Sequence, residues 1–522
     1  MKLYYNGTVI TMASAQTAEA LLTDGGVIRA AGPAKALRDM ARGAETEEID
    51  LEGGALLPAF VDSHGHIMQY AMSLGSAELG ACKSMGQLRQ TIEDYCISAP
   101  EAQWLTGFGY DPENLKEKTH PTKEMLDELS PHRPIVVTHA SGHMGVVNSR
   151  ALELAGITRS TPDPEGGKIG RDQAGEPNGY LEENAFFRLS AIIPRPDESQ
   201  ILGWMQKAQQ VYLSYGVATA QEGLMGKGEH ALLTRAAERG LLEMDIVGYA
   251  DIIKTPELMP PPSSAREYRG GFRVGGYKLF LDGSPQGRTA WLRQPYLGAE
   301  DGYRGYPVHT DAQVRQCVAL AEEAHAQLLV HCNGDAAVEQ LLGAYQSPTQ
   351  LRTVIIHAQC MGRDQLPRAK ALGLMPSFFV AHTRRWGDVH IRNLGMERAA
   401  FISPAGSAQA LGMPFTFHQD TPVLPPDMLD TIQCAVLRVT QGGVALSGRE
   451  AITVYQALQA VTAYGAYQYF EENRKGTLEP GKQADLVQLS ADPLAVPPQE
   501  LNKLRVVRTV KAGRQVYYAP VS

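Results

Sequence analysis

No stretch of this chain approaches the roughly 18 consecutive apolar residues that a membrane-spanning helix needs, so no membrane partner is expected. Positive charge is not in excess either. Lys and Arg number 48 against 57 Asp and Glu, a formal net charge of -9 at pH 7. A general nucleic-acid binder would present a basic stripe, so that class is excluded. Cysteine is sparse: Cys82, Cys96, Cys317, Cys332, Cys360 and Cys434 are six in 522 residues and show no Cys-x-x-Cys spacing. Such usage fits a reducing cytoplasm better than a disulfide framework. The first residues, Met1-Lys2-Leu3-Tyr4-Tyr5-Asn6-Gly7, lack a charged segment followed by an apolar run, so no signal peptide is expected. A Gly-x-Gly-x-x-Gly fingerprint after a first strand is also missing, which disfavours an open doubly wound sheet. Internal repeats and low-complexity tracts are absent.

What is present is an ordinary globular balance, 43% hydrophobic and 20% charged, in a chain too long for one simple core. Residues 2–5, 8–12, 18–22 and 27–31 run apolar or alternate between Asn-Gly and Asp-Gly-Gly turns. Short strands of this kind cannot bury their faces alone. Residues 484–489, 504–511 and 515–518 repeat the pattern, so one discontinuous β-domain built from both ends is expected. The centre carries apolar strand candidates at 56–66, 217–221, 244–249, 274–280, 328–331, 353–357, 373–380 and 415–418. Helical stretches such as 312–326 and 336–345 lie between most of them. Strand alternating with helix is the pattern of a parallel sheet. Eight such units point to a (β/α)8 barrel, with its chemistry at the C-terminal ends of the strands. Residues from about 70 to 215 do not fit this ladder. They hold strand candidates at 104–110 and 135–138 and a helical stretch at 85–96. They read as an insertion over the barrel mouth that acts as a lid or substrate-binding element.

The stretch Leu56-Leu57-Pro58-Ala59-Phe60-Val61-Asp62-Ser63-His64-Gly65-His66 organises the rest. It reads as an apolar strand ending in His-x-His. In a strand His64 and His66 share a face and can grip one metal ion from the same side. A polar turn after a buried strand is the plain alternative. Lys278 lies within an apolar strand, where an amine is costly unless paired or modified. Either Asp282 pairs with it, or CO2 converts it to a carbamate that bridges two metals. His331 and His357 each end an apolar run. Alone, either would read as a hydrogen-bonded core residue; on consecutive strands after Lys278 they read as ligands. Asp420, after Phe415-Thr416-Phe417-His418-Gln419, is a turn or cap aspartate or a metal-bound carboxylate that takes a proton from water. His418 faces the same way if the strand persists that far. His143, Asp111 and Arg288 fall in loops at the expected mouth, and His382 closes the strand before that of Asp420. With His418 they form the expected substrate-facing set, although Arg288 suits a structural ion pair as well as a carboxylate.

His64-x-His66, Lys278, His331, His357 and Asp420 together resemble the metal-dependent amidohydrolase superfamily. Gly476-Thr477-Leu478-Glu479-Pro480-Gly481-Lys482-Gln483-Ala484-Asp485-Leu486-Val487 resembles that superfamily's return into its β-sandwich. Four stretches are similar to amidohydrolase family 3, in the YtcJ-like branch that includes N-substituted formamide deformylases. They are Tyr277-Lys278-Leu279-Phe280-Leu281-Asp282-Gly283-Ser284, Ser141-Gly142-His143, Asn148-Ser149-Arg150-Ala151-Leu152 and Gly175-Glu176-Pro177-Asn178-Gly179. The resemblance implies a barrel over 56–475 with an insertion at 70–215, and a small β-sandwich from 1–55 and 476–522. It implies one or two divalent metals, zinc foremost, held by His64, His66, Lys278, His331, His357 and Asp420, with Lys278 open to carbamylation. It also implies hydrolysis of an amide, N-formyl or cyclic amide C–N bond by metal-activated water, with Asp420 as the base. Many superfamily members carry Ser before that aspartate; this chain has Gln419. Two rivals are a catalytically silent member that binds or regulates, and a deaminase, which Lys278 disfavours. The expected partner is a small-molecule substrate, and a homodimer is compatible with the sequence.

Overall fold

The protein is described here by a computed structural model covering residues 1–519 except 263 and 265. The chain divides into two compact units, one of Met1–Met68 with Gln209–Ser522, the other Gln69–Ala208.

The first unit is organised by an eight-stranded parallel sheet whose strands neighbour one another in chain order. They are β1 (Phe60–Val61), β2 (Val217–Met225), β3 (Asp245–Asp251), β4 (Phe272–Phe280), β5 (Gln327–Cys332), β6 (Val354–His357), β7 (Met375–Phe378) and β8 (Thr416–Phe417). Helices alternate with most of them, as in Asp311–Glu323, where Thr310 and Gln313 form a capping box and Val314, Val318 and Ala321 make one buried stripe. The link from β3 to β4 departs from that rhythm, with a short 3-10 turn at Pro256–Leu258. The sheet curls so that its two edges communicate: Ser63 Oγ donates to Phe417 O at 2.8 Å and His66 N to Thr421 O at 2.7 Å.

The first strand differs from the sequence expectation. The apolar run starting at Leu56 is two strands in two sheets. Ala55–Pro58 pairs antiparallel with Leu486–Leu489 and parallel with Thr8–Ile10. The switch falls at Ala59, whose N–H goes to Asp485 O, while the next N–H, on Phe60, goes to Gly216 O. Strand pairing then stops at Val61, so His64 and His66 stand in the loop beyond β1. Their convergence comes from loop geometry, not strand alternation.

Strands from both termini build two further sheets. One orders Val27–Gly32, Ala20–Asp24, Lys2–Tyr5 and Glu47–Asp50; the other orders Arg514–Tyr518, Val506–Lys511, Leu486–Leu489, Ala55–Pro58, Thr8–Ile10 and Thr17–Ala18. Tyr4, Val9, Leu21, Ile49 and Leu56 share a core with Leu478, Leu486 and Val510.

A buried charge cluster ties these sheets to the N-terminal edge of the parallel one. Asp245, 4% exposed at the start of β3, accepts from Lys475 Nζ and from Lys511 Nζ at 2.7 Å, and Lys511 also binds Asp485 at 2.7 Å. Burial alone would raise the Asp245 pKa, but Lys475, Lys511 and Arg474 hold it below the usual carboxylate range. A carboxyl more acidic in the folded state stabilises above its unfolded pKa of about 3.9, and that contribution is lost as pH falls through the folded value. Asp245→Ala leaves two buried ammonium groups short of a partner, at an expected cost of about 3–5 kcal/mol. Denaturant titration should show that loss at pH 7, and it should shrink steadily below pH 4.

The second unit carries a six-stranded mixed sheet ordered Gly167–Arg171, Pro177–Glu183, Met144–Val147, Ile135–His139, Leu105–Tyr110 and Ala77–Glu78. Asn148 is its pivot. Its Oδ1 accepts from Ile135 N at 2.9 Å and Ala151 N at 3.0 Å, and its Nδ2 donates to Ser130 O at 3.0 Å and Arg133 O at 2.9 Å. Every lone pair and proton of the amide is used, which gives the Asn148-Ser149-Arg150-Ala151-Leu152 motif a structural reason. Gly179 has φ +92, and a Cβ there would sit 2.5 Å from Val147 O.

Candidate metal centre

The side chains that sequence singled out on the parallel sheet meet at its C-terminal edge. Lys278 is near the end of β4, His331 near the end of β5 and His357 at the end of β6. His64, His66 and Asp420 come from the loops beyond β1 and β8. His357, Ala358 and Asp420 have φ of 70°, 46° and 53°, a left-handed conformation that non-glycine residues hold only when their surroundings enforce it.

Hydrogen-bond accounting fixes the state of His64. Tyr469 OH donates to Asp62 O at 2.7 Å, so it accepts from Gln221 Nε2 at 2.9 Å. Gln221 Nε2 also donates to Ser63 O at 2.8 Å, which turns Gln221 Oε1 toward His64 Nδ1 at 2.6 Å. An amide oxygen accepts, so the His64 proton is on Nδ1 and Nε2 keeps its lone pair. Burial and Lys278 push the His64 pKa well below the usual range. Gly223 leaves room for this ring, since a Cβ there would lie 2.7 Å from His64 Cε1.

The other wall is fixed in the same way. Ser63 Oγ donates to Phe417 O at 2.8 Å, so Ser377 donates to Ser63 at 3.1 Å and accepts from His418 Nδ1 at 2.8 Å. His418 Nε2 then accepts from His357 Nδ1 at 3.1 Å. His418 has both nitrogens engaged and orients His357, with none left for a substrate. His357 Nε2 keeps a lone pair and faces His331 Nδ1 at 3.1 Å. Asn333 Nδ2, 3.0 Å from His331 Nε2, can only donate, and with that bond made His331 Nδ1 carries the proton and donates to His357 Nε2; with Nε2 instead donating to Gly283 O at 3.2 Å, the two lone pairs face each other as a shared cation requires. Burial drives His331 down to about 4 and His418 to about 3, which keeps both neutral.

Asp420 Oδ1 is buried without a hydrogen-bond donor among the described residues, and lies 3.5 Å from both His64 Nε2 and His66 Nε2. That is long for a hydrogen bond. It is close to the roughly 3.4 Å separating tetrahedral ligands that sit ~2.1 Å from a zinc ion. Ligand atoms of His64, His66 and Asp420 lie within 4.8 Å of one another. The donor set therefore fits a divalent cation. Burial opposes ionisation of Asp420, yet its histidine neighbours, charged His66 foremost, hold its pKa well below the usual carboxylate range. Burial likewise opposes charge on His66, but Asp420 and Glu222 raise it to about 9. Glu222 Oε1 stands 3.6 Å from His66 Nδ1, behind the ring, as an outer partner should.

Lys278 is 1% exposed and donates to His64 Nε2 at 3.1 Å. Burial lowers its pKa to about 7. The alternative pairing of Lys278 with Asp282 is not formed, because Asp282 accepts backbone N–H groups from Trp291, Asn333 and Gly334 at 2.7–2.9 Å.

The remaining sequence candidates have other surroundings. Arg288 stacks over Tyr296, 5.3 Å from the ring centre. His382 does not close a strand: β7 stops at Phe378, and His382 starts the helix His382–Arg385. In the second unit, Asp111 caps the turn Pro112–Asn114, and exposed His143 contacts Glu183 at 3.1 Å. Sequence reasoning passed over Gln221, Glu222, Ser63, Ser377, Tyr469 and His390. A Gln-Glu pair closing the apolar strand at 217–221 was the one available signal.

A curled parallel sheet with imidazoles, a carboxylate and a lysine converging beyond its C-terminal edge defines an α/β protein with a donor set that fits a divalent cation. The chain belongs to the amidohydrolase family, whose model matches residues 47–517. It is 30% identical to the putative amidohydrolase YtcJ of Bacillus subtilis (strain 168), covering 99% of both chains. It is 26% identical to the N-substituted formamide deformylase of Arthrobacter pascens, over 95% of this chain and 94% of that one. Among solved structures, an uncharacterized metal-dependent hydrolase from Pyrococcus horikoshii OT3 superposes with a TM-score of 0.76 at 25% identity, covering 95% of this chain and 99% of that one.

Proposed function

We propose that this protein is a metal-dependent hydrolase that cleaves the C–N bond of an amide, N-formyl or cyclic amide substrate, and that its parallel sheet closes as a (β/α)8 barrel. The observation that carries the reading is the buried, donorless Asp420 Oδ1 facing the lone pair of His64 and the ring of His66. His64, His66 and Asp420 would hold one divalent ion, zinc foremost. His331 and His357, with Lys278 as its carbamate, would hold a second. A bound divalent metal lowers the pKa of water to about 7 and polarises a carbonyl. Asp420, kept ionised by its histidine neighbours, accepts the proton of the attacking water at a carboxylate oxygen. It then passes that proton to the departing nitrogen. Lys278, with a pKa near 7, offers a neutral amine to CO2; its nitrogen bonds the carbon and releases a proton.

Zinc-loaded protein is expected to hydrolyse members of a panel of N-formyl and N-acyl amines, releasing the free amine. Failure on the whole panel with metal bound would overturn the C–N assignment. Gln221→Leu removes the group that fixes the His64 tautomer and should weaken metal binding by about 10- to 100-fold. Competition with a chromogenic chelator reads that change, and unchanged affinity would contradict the role given to Gln221.

A further inference from the structure

We infer that His382 serves as a fixed N–H donor to the carbonyl oxygen of the substrate, and that His390 is the positioning residue that sets its tautomer. The inference rests on the hydrolase reading above and deepens it. His390, fully buried in the helix Gly387–Leu394, has Nε2 3.0 Å from His382 Nδ1. Its own Nδ1 is buried and meets no hydrogen-bond partner among the described residues. An orphaned buried N–H is rarer in folded proteins than an under-used acceptor, so the proton of His390 is on Nε2 and is donated to His382. Burial pushes both imidazoles below their ordinary range, His390 to about 4, so each carries a single proton. The proton of His382 is therefore on Nε2.

The His382 ring is held between Phe379 and Trp386, with centroids at 4.6 and 4.5 Å. Phe379 also touches the ligand side of the cluster, 5.3 Å from His418 and 6.2 Å from His357. His382 Nε2 has no protein acceptor among the described residues, and His382 keeps 4% of its surface exposed where His390 keeps none. A neutral ring with its Nδ1 lone pair already engaged can be neither the base nor a metal ligand. It can donate one N–H beside the centre where hydrolysis would develop an oxyanion.

The test has two arms on the zinc-loaded full chain. In 15N-histidine NMR, the resonance lost in His382→Gln should show a protonated Nε2 and a bare Nδ1. That pattern should survive His390→Gln, which keeps an N–H donor, and be lost in His390→Leu. A protonated Nδ1 on His382 in the wild type would overturn the proposal, and this reading needs no variant of His390 and no turnover. With 4-nitroformanilide as the probe, His382→Phe and His390→Leu should lower kcat by about 10²- to 10³-fold, with KM changed only a few-fold. His382→Gln and His390→Gln should recover most of the loss. A kcat within twofold of wild type in His382→Phe would overturn the donor role. No turnover by the wild type would instead count against the hydrolase reading, while the tautomer stands or falls on the NMR.

Discussion

Asp420→Asn is expected to retain most of the bound metal while losing about 10² to 10⁴ in kcat, the range typical for removal of a general base. The substitution keeps the shape and one oxygen ligand but removes the ability to accept a proton. Asp420 is placed for that role because its two oxygens look different ways. Oδ1 faces His64 and His66, each at 3.5 Å, and Oδ2 lies 3.9 Å from His357 Nε2. The left-handed backbone at Asp420 aims the carboxylate between the two walls of the cluster. The check is kcat measured alongside metal stoichiometry on the same sample. Near-normal activity with metal bound would remove Asp420 as the base. Neither His418 nor His382 would serve in its place, since His418 has both nitrogens committed and His382 presents a proton.

Much of this centre was legible because burial makes certain residues conspicuous. A lysine inside Val274-Gly275-Gly276-Tyr277-Lys278, or a histidine closing Leu328-Leu329-Val330, contradicts the apolar pattern around it. The positions of the eight parallel strands were legible for the same reason, as apolar runs, although the first and the last are only two residues long. The residues that hold the ligands in place were not legible. Gln221, Tyr469 and Ser377 are ordinary polar residues whose partners lie far away in sequence, 157 positions between His64 and Gln221 and 407 between Tyr469 and Asp62. Several of those partners are backbone carbonyls, which leave no trace in side-chain identity. The division of the first apolar run between two sheets was hidden as well, because residues 55–61 are apolar throughout and each half is buried in its own sheet. In the second unit, Gly167–Arg171 and Pro177–Glu183 pair as strands although their residues are largely polar or glycine. Their pairing rests on backbone hydrogen bonds and on the turn that Gly175 permits at φ +83.

The double substitution His64→Ala/His66→Ala should abolish metal binding at the first site and reduce activity to background. It removes two of the three ligand atoms that converge there and leaves Asp420 with no partner on that wall. His331, His357 and Lys278 remain, so a second site could hold an ion without the attacking water that Asp420 serves. The most direct test of the account is elemental analysis of the purified wild-type chain beside this variant, after identical exposure to zinc and removal of loosely bound ions. The account predicts one or two divalent ions per wild-type chain and at least one fewer in the variant. Equal metal content in the two proteins would contradict it.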